Sequence, residues 1–232
     1  RKSTIQSHEM FITGNIEIQD EGSQLLGYLL QPKRGEIVVD FCAGAGGKAL
    51  MMGALMGSKG RIYAFDVSEK RLNRLKPRLK RSGLSNLFPR WISNENDIKV
   101  KRLVGKVDRV LVDAPCSGLG TLRRNPDIKL RQTPKSIEEA KRSQEAILAS
   151  SARLLKPGGR LVYATCSFLP EENQEIIENF LAAHTKFTLL NCAELFMQQK
   201  IPLDTGMFLQ LYPEKHNTDG FFAAALTLAK ND

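Results

Sequence analysis

From about residue 36 the chain alternates short apolar runs with longer stretches of helical periodicity, which limits it to a largely parallel sheet with crossover helices. The pattern predicts strands near 36–41, 61–66, 88–92, 107–113 and 159–165, with helices near 47–57, 68–82, 136–156 and 171–184. Ser68 is the expected N-cap of the second helix, Pro77 is expected to kink or divide it, and Pro157-Gly158-Gly159 is expected to end the third. Towards the end, 207–212 and 221–228 flank a polar loop, as in an antiparallel hairpin. Residues 1–35 read as a mostly helical lead-in to the sheet-bearing 36–232. Residues 119–135, aperiodic and rich in Arg, Asn and Pro, read as a long functional loop.

In an open α/β sheet, ligands bind at the carboxyl ends of the strands. Two cysteines close strands there: Cys116 in Asp113-Ala114-Pro115-Cys116-Ser117-Gly118, and Cys166 in Ala164-Thr165-Cys166-Ser167. A thiolate is the most nucleophilic ordinary side chain, so two thiols in such a place, one beside a carboxylate, point to covalent catalysis. One buried free cysteine is commonly inert; a pair in these settings is not so easily explained.

The first strand, Ile37-Val38-Val39-Asp40-Phe41, runs into Cys42-Ala43-Gly44-Ala45-Gly46-Gly47-Lys48 and then a helix. Glycines let this turn approach a ligand closely, and free amides at the helix start favour a negative group. The spacing departs from the three-glycine dinucleotide fingerprint, and Lys48 lacks the Ser or Thr that follows it in a phosphate loop. Asp66 ends the second strand, where a carboxylate accepts hydrogen bonds from both ribose hydroxyls. Together these features point to an adenosine-type ligand without fixing the reaction. The bland alternative for Asp66 is helix capping.

At 232 residues and 42% hydrophobic, the chain can bury one sizeable core. No apolar stretch approaches a membrane span, no signal peptide is visible, and the first residue is Arg1, as in a fragment. Four widely spaced cysteines without a close His partner fit a reducing cytosol and argue against zinc or any other metal. With 34 Lys plus Arg against 25 Asp plus Glu, the net charge of +9 suits a polyanionic partner. Lys70, Arg71, Arg74, Lys76, Arg78, Lys80 and Arg81 crowd one segment, which a solvated helix face would also explain. Arg123 and Arg124, beside the first cysteine motif, are better nucleic-acid candidates. His8, His184 and His216 show no ligand or triad spacing and read as surface residues, while Trp91 and the strand phenylalanines read as core.

With these segments in order, the chain resembles the Fmu/Sun-type family of RNA cytosine-5 methyltransferases, in particular the bacterial 16S ribosomal RNA enzymes. The likeness runs from Gln19-Asp20-Glu21-Gly22-Ser23-Gln24 to Gly220-Phe221-Phe222. Its most specific parts are the two cysteine motifs, Arg124-Asn125-Pro126-Asp127, and Pro170-Glu171-Glu172-Asn173. The resemblance implies a class I (Rossmann-like) methyltransferase fold: a seven-stranded, mostly parallel sheet with an antiparallel last strand and helices on both faces. It implies S-adenosylmethionine as cofactor and RNA as partner, ribosomal in preference to transfer RNA.

Cys166 would attack the base, Cys116 would assist its release, and Asp113 would contact the cofactor and activate the ring at nitrogen 3. Cys166 then needs a positive setting, which Lys48 or the cofactor sulfonium would supply. Cys42, Ala43, Gly44, Ala45, Gly46, Gly47, Lys48 and Asp66 would hold the cofactor with Asp113. Asp97, or its competitor Asn94, would add a contact after the third strand. Arg123, Arg124 and Asn125 would grip the backbone around an unpaired or flipped base. Ala45 stands where many members carry proline. The upstream RNA-binding domain usual among the ribosomal enzymes is missing, so the chain corresponds to their catalytic portion. A cytoplasmic monomer is expected. The rival reading is a non-catalytic RNA-binding or ribosome-assembly factor, which leaves the two cysteines without a purpose. An amino-methylating enzyme would carry an Asn/Asp-Pro-Pro-aromatic motif at 113–116, and an oxidoreductase would explain Asp66 alone.

Overall fold

The strands of the first two thirds of the chain are apolar on both faces, and in the computed structural model, which describes residues 4–230, they lie between helical layers. β1 (Ile37–Asp40), β2 (Arg61–Asp66), β3 (Leu87–Trp91), β4 (Val107–Asp113) and β5 (Leu155–Thr165) are parallel. β6 (Phe187–Leu190), β7 (Leu209–Leu211) and β8 (Phe221–Leu228) complete a sheet of order β3-β2-β1-β4-β5-β8-β6. β8 runs antiparallel to β5 and carries β7 and β6 along its other edge. That order is the expected seven-stranded sheet. The eighth strand, β7, is the short arm of the C-terminal hairpin.

Before β1 come α1 (Glu9–Ile12) and α2 (Glu21–Leu30), and between the parallel strands α3 (Gly47–Leu55), α4 (Glu69–Ser82), α5 (Ile98–Lys101), α6 (Ile128–Arg131) and α7 (Pro134–Ala152). α8 (Gln174–Ala183), α9 (Cys192–Gln198) and α10 (Pro213–His216) follow. α2, α3, α4 and α9 cover one face of the sheet through Leu26, Met52, Leu75 and Phe196. α5, α7 and α8 cover the other through Val100, Leu148 and Ile177.

Several expectations change. α4 runs unbroken through Pro77, which lies on the solvent side with Asn73, so the carbonyl that loses its amide partner meets water. α7 ends at Ala152, ahead of Pro157-Gly158-Gly159. Those residues bulge within β5, whose register shifts between Val107↔Leu155 and Arg109↔Arg160. β6 and α9 carried no clear sequence signal. Trp91 is 46% exposed at the end of edge strand β3, its indole N–H donating to the Val67 carbonyl at 3.0 Å. His184 is half-buried, its ring stacked on Phe180 at 4.2 Å. No helix among the described residues is long and apolar enough to cross a membrane.

The lead-in belongs to the main core. Leu26, Leu29 and Leu30 of α2 are fully buried with Val38, Ile62 and Leu111 of the sheet. Polar ties hold the same segment down: Glu17 pairs with Arg78 and Arg81, and Arg109 donates to both Glu36 oxygens and to the Leu30 carbonyl. Leu29→Ala should therefore destabilise the whole domain by about 2–5 kcal/mol. In urea unfolding the entire transition should move to lower denaturant; a main transition that stays put would make α2 a detachable appendage.

Candidate active site

Parallel pairing of β4 with β5 sets Asp113 opposite Ala164, and the Ala114 amide extends the ladder by donating to the Ala164 carbonyl at 2.8 Å. The two cysteine loops therefore leave the sheet side by side, with the Sγ atoms of Cys116 and Cys166 in hydrogen-bonding contact at 3.4 Å. Gly120 fixes the second loop: its amide donates to the Cys166 carbonyl at 2.8 Å, and its carbonyl accepts from the Gly220 amide at 2.8 Å. A Cβ at Gly120 would collide with both the Gly220 and Cys166 carbonyls. Nothing in the sequence reading singled this glycine out.

Both sulfurs face a cavity of about 730 Å³, whose walls include Cys42–Ala45, Gly47, Lys48, Asp66, Asn94 and Asp113. Its size is that of a small-molecule site. Gly46 lies beneath the turn as the left-handed N-cap of α3, φ 79°, packed on Leu75. Asp66 is buried and ties the glycine turn to the start of α4. One carboxylate oxygen accepts from the Gly44 amide at 2.8 Å and the other from the Ser68 amide at 2.7 Å, while the group also faces the cavity. Ser68 caps α4 through its hydroxyl, as expected. Arg71 and Arg78 of the basic helix are more than a solvated face: Arg71 lies 3.5 Å from Asp66, and Arg78 donates to the Ala45 carbonyl at 2.7 Å.

One expectation needs correction. Asp97 is not in the cavity wall; its carboxylate caps α5, accepting from the amides of Ser93 and Lys99. Those hydrogen bonds also hold its pKa below the usual carboxylate value. Ser93, Asn94 and Glu95 line the cavity instead, which favours Asn94 of the two candidates. Arg123 and Arg124 are not free cations. Arg124 pairs with Asp219 at 3.0 Å and Asp20 at 2.6 Å, and Arg123 donates to the Asn217 carbonyl at 3.0 Å. They latch the long loop to the hairpin and the lead-in, and Asn125 stays local, donating to Thr121.

The charges are arranged with a direction. Burial opposes the ammonium of Lys48, but the Asp113 carboxylate at 2.6 Å outweighs it by charge and hydrogen bond, and the lysine pKa lies above its ordinary value. The hydrogen bond from Cys116 holds the Cys166 thiol below the ordinary thiol value, with help from Lys48 against burial and Asp113. The same hydrogen bond, burial and the charges of Cys166 and Glu172 push Cys116 well up. The two shifts bias the proton of this hydrogen bond towards Cys116. Burial raises Cys42 as well, making it a wall residue and not a reactive thiol.

Sequence reasoning missed two groups. Asp40, ending β1, is buried, and among the described residues neither of its oxygens has a hydrogen-bond partner; the Ala49 amide lies near enough to favour its charge without bonding it. Burial raises its pKa to about 7; Asp113 and Asp66 add to this and Lys48 opposes it. A charged residue closing an otherwise apolar strand was the available signal. Gln19, in the cavity wall, holds a buried side-chain amide nitrogen without a partner.

Residues 27–227 match the model of the family described as 16S rRNA methyltransferase RsmB/F. A probable ribosomal RNA small subunit methyltransferase B of Synechocystis is 40% identical over 94% of this chain and 49% of its own length. Its Bacillus subtilis counterpart is 34% identical over 97% of this chain and 50% of its own. The chain thus spans about half the length of the curated relatives it matches. Among solved structures, NSun6 of Pyrococcus horikoshii, determined with an S-adenosylmethionine analogue, superposes with a TM-score of 0.84 and 30% identity, over 97% of this chain and 56% of the other.

Asp40 gives a pH signature. The folded protein keeps its proton up to about pH 7, whereas the unfolded chain releases it near 3.8. Between those values the folded state binds more protons, so this residue makes stability fall as pH rises, by at most about 1.4 kcal/mol per pH unit. Above the folded pKa its contribution is level. Asp40→Asn should flatten the stability–pH curve in that window, as measured by urea unfolding at each pH. Parallel curves for the two proteins would contradict the assignment.

Proposed function

Because the chain belongs to the RsmB/F family of 16S rRNA methyltransferases, we propose that it methylates carbon 5 of a cytosine in RNA, ribosomal RNA in preference to transfer RNA, through a covalent bond from Cys166 to the base. The strongest support is the 3.4 Å contact between two thiols of opposite protonation tendency in the wall of one cavity, which they share with a glycine turn and Asp66.

S-adenosylmethionine is the cofactor, and the residues fit it. Asp66 would accept from the ribose hydroxyls. The unpartnered Gln19 amide nitrogen suits the ligand's carboxylate, and Asp40 and Asp113 set up a negative field for its cationic amino and sulfonium groups. When bound, the cofactor supplies an electrophilic methyl group.

The chain's own residues do the rest. Cys166, kept as thiolate, adds to carbon 6 of the cytosine and makes carbon 5 nucleophilic. The Lys48–Asp113 pair meets the ring at nitrogen 3 and shares a proton with the electron density that develops there. Bond formation removes the charge of Cys166 and the acceptor of the Cys116 hydrogen bond, two of the causes that kept Cys116 a thiol. Cys116 can then yield its proton to solvent and, as thiolate, take the proton from carbon 5. The C–H electrons restore the 5,6 double bond and expel Cys166. Arg123, Arg124 and Asn125 are proposed as RNA contacts through their outer, exposed halves, the inner halves of the two arginines being held by the latch.

Cys166→Ala should abolish RNA methylation, measured as tritium transfer from the cofactor, while cofactor binding by calorimetry stays within about twofold. Cys116→Ala should accumulate a covalent protein–RNA adduct, seen as a slow band on a denaturing gel. Normal turnover by Cys166→Ala would contradict the covalent route.

A further inference from the structure

The Pro170-Glu171-Glu172-Asn173 segment lies behind the cysteines, and nothing in the reaction so far uses it. Glu172 is completely buried at the end of a short 3-10 turn, Pro170–Glu172. Its Oε1 accepts from the Ser117 amide at 2.8 Å and from Gln144 Nε2 at 3.1 Å, and its Oε2 from the Ser117 hydroxyl. Its backbone carbonyl accepts from the Tyr163 hydroxyl at 2.7 Å. Gln144 also donates to the Pro115 carbonyl at 3.0 Å, so both neighbours of Cys116 are bound to this one assembly. On the other loop, the Asn173 amide donates to the Ser167 carbonyl at 3.0 Å and its carbonyl oxygen accepts from the Thr165 hydroxyl, which secures both neighbours of Cys166. The Ser117 and Ser167 hydroxyls, 3.0 Å apart, close the ring.

We propose that Glu172 is the positioning residue of the thiol pair: its buried carboxylate clamps the Cys116 loop against the Cys166 loop and polarises the pair so that the shared proton stays on Cys116. This rests on the covalent reading given above. A spacer would not need to be a carboxylate. Burying one without a cation is expensive, and among the described residues Glu172 has no ion-pair partner, only the three hydrogen bonds that keep it tolerable. The charge is matched by one on the opposite side. Lys48 acts on Cys166, and Glu172 acts on Cys116. Negative charge behind one sulfur and positive charge beside the other make the two ends of the hydrogen bond unequal, as a nucleophile and its proton store must be.

The test is the rate of alkylation of each cysteine by iodoacetamide in the full chain from pH 6 to 9, read by peptide mass spectrometry, with melting curves as the check on folding. In the natural protein Cys166 should react first and Cys116 lag. Glu172→Gln keeps shape and loses charge; the Cys166-to-Cys116 rate ratio at neutral pH should fall about tenfold, as expected for a relative shift of one pKa unit. The pH midpoint of Cys166 should rise with it. Glu172→Asp, which keeps the charge, should retain most of the ratio.

An unchanged ratio in a folded Glu172→Gln protein overturns the proposal. So does equal reactivity of the two thiols in the natural protein, a measurement that needs no variant to fold. The chemistry is tested separately. A Glu172-dependent asymmetry in a protein whose Cys166→Ala form still methylates would sink the covalent reading alone; a dead Cys166→Ala with an asymmetry indifferent to Glu172 would sink the clamp alone.

Discussion

Beyond the bulge, β4 and β5 keep one register from Arg109 opposite Arg160 to Asp113 opposite Ala164, and the Ala114 amide adds one further rung. Adjacent strands lie about 4.8 Å apart, so two chains leaving at that spacing arrive as neighbours and then diverge unless something holds them. Here buried polar groups hold them. Ser117, Ser167, Glu172 and Asn173 bind one loop to the other, and Gly120 brings its own backbone to hydrogen-bond distance of both Cys166 and Gly220. The contact between the sulfurs is the outcome of that construction, and the reactivity assigned to each thiol depends on it.

The cavity that receives these thiols runs against the charge of the whole molecule. The chain carries +9, yet Asp40, Asp66 and Asp113 gather beneath and beside the turn with Lys48 and Arg71 as their close cations. Burial chiefly raises the proton affinity of Asp40, and the carboxylates of Asp113 and Asp66 add to it. A cationic ligand relieves that crowding. The same field would repel a phosphate, so on the proposed function the negative pocket within a positive chain would keep apart two tasks: drawing in a polyanion over the surface, and holding a cationic donor within.

The parallel architecture was legible because apolar runs and helical periodicity are local. That Cys42–Ala45, Gly47, Lys48, Asp66, Cys116 and Cys166 share one cavity was legible because strand ends are where a sheet of this kind meets its ligands. What escaped depended on distant partners. Trp91 has the composition of a core residue and lies exposed because β3 is an edge. Asp97 was misread because an acidic residue four positions past Ser93 serves equally as a helix cap. The latch made by Arg124 was not legible because Asp20 and Asp219, which bind it, lie about 100 residues away in each direction. β6 is four residues long and finds its place only beside β8.

The most direct measurement of the central claim uses RNA carrying 5-fluorocytidine in place of cytidine. After methyl transfer carbon 5 then bears no proton to remove, so the bond to the enzyme should persist. Incubation with S-adenosylmethionine, digestion of the trapped complex and peptide mass spectrometry should find a methylated fluoropyrimidine nucleotide on the peptide containing Cys166. Attachment at Cys116 would reverse the roles assigned to the two thiols, and a fluorinated RNA that turns over with no adduct would contradict the covalent mechanism.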